Sequence, residues 1–176
     1  MSKLIIVTGI SGSGKTTISN YLYNHYTNST LLSMDTIKES IYEIAGFYSY
    51  EQKQSLKQVI YETFIKLLSE CMNRNDDIII VEYPFNKSWE EKFNELIIKY
   101  NYDSITVRVK SKDFKYIYDR INKRDNSSNR HPSHSVSVYN PKYKDNYTSV
   151  SKLDFDKLNK DYNNNKYTDI SLGKII

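Results

Sequence analysis

The sequence predicts a three-layer α/β fold, with a mostly parallel sheet of about five strands and helices on both faces. Three observations predict it. Short apolar runs of strand length alternate with helical stretches along most of the chain. The first apolar run leads directly into a glycine-rich turn and then a helix. Polar residues capable of chemistry follow the apolar runs, where a parallel sheet opens its ligand crevice.

The elements follow in order. Lys3–Thr8 (KLIIVT) is apolar, branched and of strand length. Thr16–Tyr26 has helical spacing, with Ile18, Leu22 and Tyr26 on one face. Thr30–Ser33 is a short second strand. A helix starts at Asp35, where Thr36 and Glu39 are spaced as a capping box, and Gly46 ends it. Tyr50–Arg74 is a long helix whose inner side carries Leu56, Val59, Ile60, Thr63, Leu67 and Leu68. Asp77–Val81 (DIIIV) is a strand buried on both faces. Trp89–Tyr100 is helical and Ser104–Val109 is a strand. Asp113–Arg124 is a helix with Phe114, Ile117, Tyr118 and Ile121 inward. Asn126–Lys142 is polar and contains proline, so a loop or lid is expected there, within about 125–142. Tyr147–Leu153 is the candidate last strand, and Lys160–Lys166 reads as a polar surface loop.

The 176 residues suit one domain spanning 1–176, large enough for a genuine core. A 39% hydrophobic and 26% charged composition is that of a globular protein. Tyrosine, asparagine and lysine are abundant and spread along the chain. The net charge of +4 agrees with an anionic ligand without specifying nucleic acid. Cys71 is the single cysteine, so no internal disulfide forms; this suits a reducing cytosol and a cytoplasmic location. Its LLSECMNR context reads as a buried helix position rather than a nucleophile. No apolar stretch has membrane-spanning length.

The segment after the first strand, Gly9–Thr17 (GISGSGKTT), fits G-x-x-x-x-G-K-[ST]. Triphosphate oxygens need many donors converging on one anion. Glycines let the backbone approach closely, so that consecutive N–H groups point inward, and the following helix adds its positive end. Gly9, Gly12, Ser13, Gly14, Lys15, Thr16 and Thr17 are therefore the expected nucleotide-binding residues. Lys15 supplies a charge for the β- and γ-phosphates, and the Thr16 hydroxyl a ligand for magnesium. A plain strand–helix turn would explain the glycines but not the Lys–Thr pair.

Other candidates fall after the later strands. Asp35 follows the second, placed to accept a proton from an attacking hydroxyl or to cap its own helix. Lys38, one turn on, suits an anionic group of an acceptor or plain solvent exposure. Glu82 ends the third strand and is a candidate for organising magnesium or meeting the acceptor. Tyr83 and Phe85 suit an acceptor wall or simple packing. Arg120 and Arg124 share a helix face, and Arg130 follows in the lid. Arginines that close on a transferring phosphoryl group match the charge developing there, whereas a solvated basic helix end needs no ligand. His131 and His134 lie in RHPSH without a cysteine nearby, which is a poor metal set. His25 reads as a helix-surface residue.

The order GISGSGKT, SMDTIKE, IIIVEYPF and RINKRDNSSNRHPSH resembles the small P-loop kinases of the zeta-toxin and polynucleotide-kinase-like group, especially its short bacterial candidate kinases. The resemblance runs from about Lys3 to His134. It implies a P-loop NTPase fold of the adenylate- or nucleoside-kinase type, with a lid and with ATP as donor. It also implies Asp35 as the acceptor-activating carboxylate, Arg124 and Arg130 as lid arginines, and Arg120 near the nucleotide base or phosphates. An arginine often stands in that group where this chain has Lys38, and a small polar residue near Pro84. Both departures touch the acceptor side.

The expected activity is therefore transfer of the γ-phosphoryl group of ATP to a hydroxyl or phosphate, on a small molecule, a nucleotide or a polynucleotide 5′ end. Lys15, Asp35, Arg124 and Arg130 are the expected catalytic residues, and Thr16 and Glu82 the expected metal residues. The sequence specifies neither the acceptor nor the oligomeric state. The alternative is a regulatory P-loop protein that binds nucleotide without catalysis. Asn122–Asp125 (NKRD) spells a guanine-reading motif, but the only glycine between it and the phosphate loop is Gly46, preceded at three residues by Glu43, so no D-x-x-G switch exists.

Overall fold

A computed structural model describes residues 2–84, 89–109, 114–125, 127, 130–134, 139–140 and 174–175. The elements run β1 (Lys3–Thr8), α1 (Lys15–His25), β2 (Ser29–Ser33), α2 (Met34–Ala45), α3 (Tyr50–Asn73), β3 (Ile78–Glu82), α4 (Glu90–Tyr100), β4 (Asp103–Arg108), α5 (Phe114–Asp125) and β5 (Lys174–Ile175). A 3₁₀ turn, Pro132–His134, follows α5. The sheet order is β2-β3-β1-β4-β5 and every described pairing is parallel. Four strands of five or six residues carry the sheet, and β5 adds two residues at its edge. The strand expected at Tyr147–Leu153 and the loop at Lys160–Lys166 lie outside the described residues, as does half of the lid expected over 125–142.

Period-two alternation sorts the central strand between two cores. Leu4 and Ile6 join Ile79 and Val81 under α2, α3 and α4, while Ile5 and Val7 join Ile80 under Ile18 and Leu22 of α1. Helices thus cover both faces, as an all-parallel sheet requires. Each of these fully buried aliphatic side chains contributes about 1.5–3 kcal/mol by leaving water. Tyr83 stacks on Phe93 at 4.9 Å between ring centroids and on Trp89 at 5.7 Å, fastening the end of β3 to α4. Among the described residues no helix is long and apolar enough to cross a membrane.

Two local expectations are corrected. Helix α2 begins at Met34, directly after Ser33, so Thr36 and Glu39 lie inside the helix and form no capping box. Asp35 sits in the first turn and does not cap it. In α3 the buried ridge is Ile60, Phe64, Leu68, Cys71 and Met72, whereas Val59 and Leu67 face solvent. The i, i+4 row through Phe64 outweighs the aliphatic set on the neighbouring stripe. Cys71 is buried as expected, and burial raises its thiol above the ordinary range. Gly46 is the residue after α2, at φ 64°, its amide donating to Tyr42 O at 2.9 Å.

Candidate active site

The parallel register aligns the carboxyl ends of three strands. Val7 of β1 and Ser33 of β2 both pair with Glu82 of β3. The loop from Gly9 to Gly14 and the start of α2 therefore emerge at the same sheet edge, and a cleft of 580 Å³ opens between them.

The loop is held in one shape from behind. A side chain at Gly9 would place its Cβ 2.4 Å from the Val109 carbonyl oxygen, against a backbone that cannot yield. At Gly12, φ is 76° and a Cβ would stand 2.7 Å from Cγ1 of Ile121, since α5 packs Ile117 and Ile121 onto the loop. Lys15 spans the loop and donates from Nζ to the Ile10 carbonyl at 2.8 Å. Helix α1 then starts from Gly14, at φ 101°, without a capping side chain and with no acidic residue in its first turn. Its first amides carry the helix's positive end toward the cleft without a side-chain partner. Gly12, Gly14, Lys15, Thr16 and Thr17 line the cleft; Gly9 and Ser13 support the loop from behind.

Glu82 forms the floor. It is 5% exposed, and Thr16 Oγ1 donates to its Oε1 at 2.7 Å. Burial raises its carboxyl above the usual range, opposed by the Thr16 hydrogen bond and the nearby Lys15 ammonium. Burial likewise lowers Lys15, with Glu82 and Asp35 pulling the other way. A hydroxyl oxygen beside a carboxylate at the foot of a phosphate loop is a donor set suited to a hard divalent cation.

The opposite wall comes from α2 and α5. Asp35 is half exposed, with Lys38 Nζ 3.9 Å from its Oδ1. Arg124 donates to Ser11 Oγ at 3.2 Å and to Asp125 Oδ1 at 3.1 Å. Arg130, 16% exposed, approaches the same Asp125 oxygen at 3.4 Å, and its guanidinium is lowered by burial and by the neighbouring Arg124. Arg120 lies over the Tyr116 ring at 5.6 Å. The cleft thus gathers Lys15, Lys38, Arg120, Arg124 and Arg130 against Asp35 and Glu82. This cationic excess suits a polyanion and would destabilise an unliganded cleft if all groups were fully charged.

All of the expected catalytic and metal residues therefore meet at one cleft. Tyr83 reaches its edge but is fully buried in the aromatic stack, as a packing residue, and Phe85 lies outside the described residues. Asn122–Asp125 is helical, closing α5. His131 and His134 meet carboxylates of α2: His131 Nε2 is 3.0 Å from Glu43 and His134 Nε2 is 2.7 Å from Glu39. His25 is exposed on α1. Ser11, which the sequence does not single out, borders the cleft, as does His134, which the sequence offers only as part of a poor metal set. No local pattern signals His134, which meets Lys38 across 96 residues.

Sheet order, glycine loop and uncapped α1 define a P-loop protein with a nucleotide-binding fold of the kinase type. The chain belongs to the AAA domain family, whose profile matches residues 5–139. Among solved structures, it is 25% identical to a candidate kinase from Chloroflexus aurantiacus j-10-fl (TM-score 0.68, covering 76% of this chain and 71% of that one). The tunicamycin resistance protein of Deinococcus radiodurans shares the fold at 11% identity (TM-score 0.59, 100% of this chain and 86% of that one). A chain of the Pnkp1/Rnl/Hen1 RNA repair complex does so at 15% (TM-score 0.59, 95% of this chain and 45% of that one). A search of curated proteins returned no significant match.

Proposed function

We propose that the protein is an ATP-dependent phosphotransferase, moving the γ-phosphoryl group to a hydroxyl or phosphate of a small molecule, a nucleotide or a polynucleotide 5′ end. One observation supports it above the rest: an uncapped helix start with Lys15 on one wall of the cleft faces Asp35, Arg124 and Arg130 on the other.

Each residue then has a task. Backbone N–H groups from Gly12 to Thr17 hold the phosphates, and the Lys15 ammonium leaves the Ile10 carbonyl to bridge them. Thr16 and Glu82 would hold magnesium, directly or through water, where the ion offsets charge on the phosphate oxygens. Asp35, half exposed and facing the cleft, orients the acceptor hydroxyl and takes its proton. Arg124 and Arg130 move off Asp125 onto the reacting phosphoryl group, Arg130 coming from the lid expected over 125–142. Arg120 supports the nucleotide. Lys38, one turn beyond Asp35, meets an anionic group of the acceptor.

Radiolabelled ATP offered with nucleosides, nucleotides, sugar acids, antibiotics and a 5′-hydroxyl oligonucleotide tests this. Label is expected on one acceptor class, and Asp35→Asn should lower turnover by about 10²-fold or more while nucleotide affinity holds. Nucleotide binding with no transfer to any class would leave a non-catalytic binding protein.

A further inference from the structure

Resting on that phosphotransferase reading, we propose that His134 is a positioning residue: its Nδ1 holds the Lys38 ammonium beside Asp35 but off it, leaving that carboxylate free for the acceptor.

The geometry sets the roles of both ring nitrogens. Lys38 Nζ lies 3.0 Å from His134 Nδ1 and 3.9 Å from Asp35 Oδ1. Only the first is a hydrogen-bond distance. An ammonium has donors and no acceptor, so Nδ1 must present a lone pair. The proton of the neutral ring then sits on Nε2, which donates to Glu39 Oε1 at 2.7 Å. The His134–Glu39 contact is accordingly a hydrogen bond to a carboxylate rather than an ion pair.

The surroundings enforce that state. The His134 side chain is 6% exposed. Burial, with Lys38, Arg130, Arg124 and His131 facing it, pushes its pKa down to about 2. Glu39 is the facing carboxylate. The turn that carries the ring is held as well: Lys53 Nζ donates to Ser133 O at 3.0 Å, and the His134 amide donates to His131 O at 3.2 Å. Lys38 and Glu39 are neighbours on α2, with Asp35 one turn before them. Without the Nδ1 lone pair, Asp35 becomes the nearest acceptor for the ammonium. A carboxylate in direct contact with an ammonium is a weaker base and less free to orient a hydroxyl.

Two kinds of experiment separate this inference from the reading beneath it. The first needs no activity. In the wild type, ring ¹⁵N NMR is expected to show a neutral His134 with bare Nδ1 and protonated Nε2 throughout neutral pH. In a crystal structure of His134→Ala, Lys38 Nζ should stand within hydrogen-bonding distance of Asp35. A proton on Nδ1, or an unmoved Lys38, overturns the inference. The second uses transfer kinetics. His134→Ala should lower kcat/KM for the acceptor about tenfold, the loss of roughly one hydrogen bond to a charged partner, with the KM for Mg·ATP unchanged. His134→Asn, whose carbonyl takes the place of Nδ1, should restore most of it. In a Lys38→Met background, His134→Ala should have no further effect. Equal defects in the Ala and Asn variants, or a full His134→Ala effect without Lys38, would reduce the ring to packing. A wild type that transfers phosphate to no acceptor overturns the phosphotransferase reading instead, and the spectrum still decides the hydrogen bond.

Discussion

At the start of α3, Ser49 Oγ accepts a hydrogen bond from the Gln52 amide at 3.2 Å, and Glu51 stands in the first turn. At the start of α1, Gly14 sits at φ 101°, no side chain caps the helix, and the first residue is Lys15. The two helices meet the same physical requirement in opposite ways. Four amides at each N-terminus need acceptors, and a carboxylate there is favourable by about 0.3–1 kcal/mol while a cation is unfavourable by a similar amount. Helix α3 satisfies that requirement within the chain. Helix α1 has the wrong cap, the wrong charge and a positive-φ glycine, and the cleft lies directly in front of it. Helix α1 forgoes stability at an end that opens on the cleft, where an incoming polyanion would restore it.

The sharpest way to break this contrast is Lys15→Ala. Losing a preorganised donor to the transferring phosphates should lower turnover by about 10²–10³-fold. Because Lys15 is a cation at a positive helix end, the unliganded variant should melt no lower than the wild type. The wild type at a hundredfold excess of Mg·ATP over its dissociation constant should melt about 5–10 °C higher than without it. That shift should shrink in Lys15→Ala. A large loss of unliganded stability would make Lys15 a structural residue and end the contrast.

Gly12→Ala should have the next largest effect, and on both properties. The new Cβ meets Ile121 at 2.7 Å from within a packed contact, at a φ of 76°. Strain of about 1–3 kcal/mol is expected, lowering the melting temperature by several degrees as well as weakening nucleotide binding. Thermal melting with and without Mg·ATP reads both. If stability were untouched, α5 would not be bracing the loop.

The same contrast explains what was legible in the sequence. The phosphate loop is contiguous, so its spacing specified Gly9 to Thr17, and β1 and β3 are unbroken apolar runs whose burial admits one interpretation. The opposite wall of the cleft is assembled from α2, α5 and the turn at Pro132–His134, and the contact between Lys38 and His134 has no sequence-local trace. Helix α2 starts one residue earlier than the sequence suggests, because Thr36 and Glu39 happen to be spaced as a box while the strand passes into the helix at Ser33 without a loop. The inner face of α3 differs from the one the sequence suggests because two apolar stripes compete, and packing against Phe93 and Tyr83 selects the one with Phe64.

The smallest expected effect falls on the satisfied helix. Ser49→Ala removes the acceptor for the Gln52 amide and should cost about 1 kcal/mol of stability. For a chain of this size that is a fall of roughly 2–4 °C in Tm. The Mg·ATP-induced shift should remain, because Ser49 does not line the cleft. The two variants Lys15→Ala and Ser49→Ala should therefore separate cleanly, the first losing the ligand-induced shift and the second losing only baseline stability. A Ser49→Ala protein with an altered ligand shift would mean that α3 and the cleft are coupled through α2, which packs between them, and that a cap on one helix helps set the geometry of Asp35 on another.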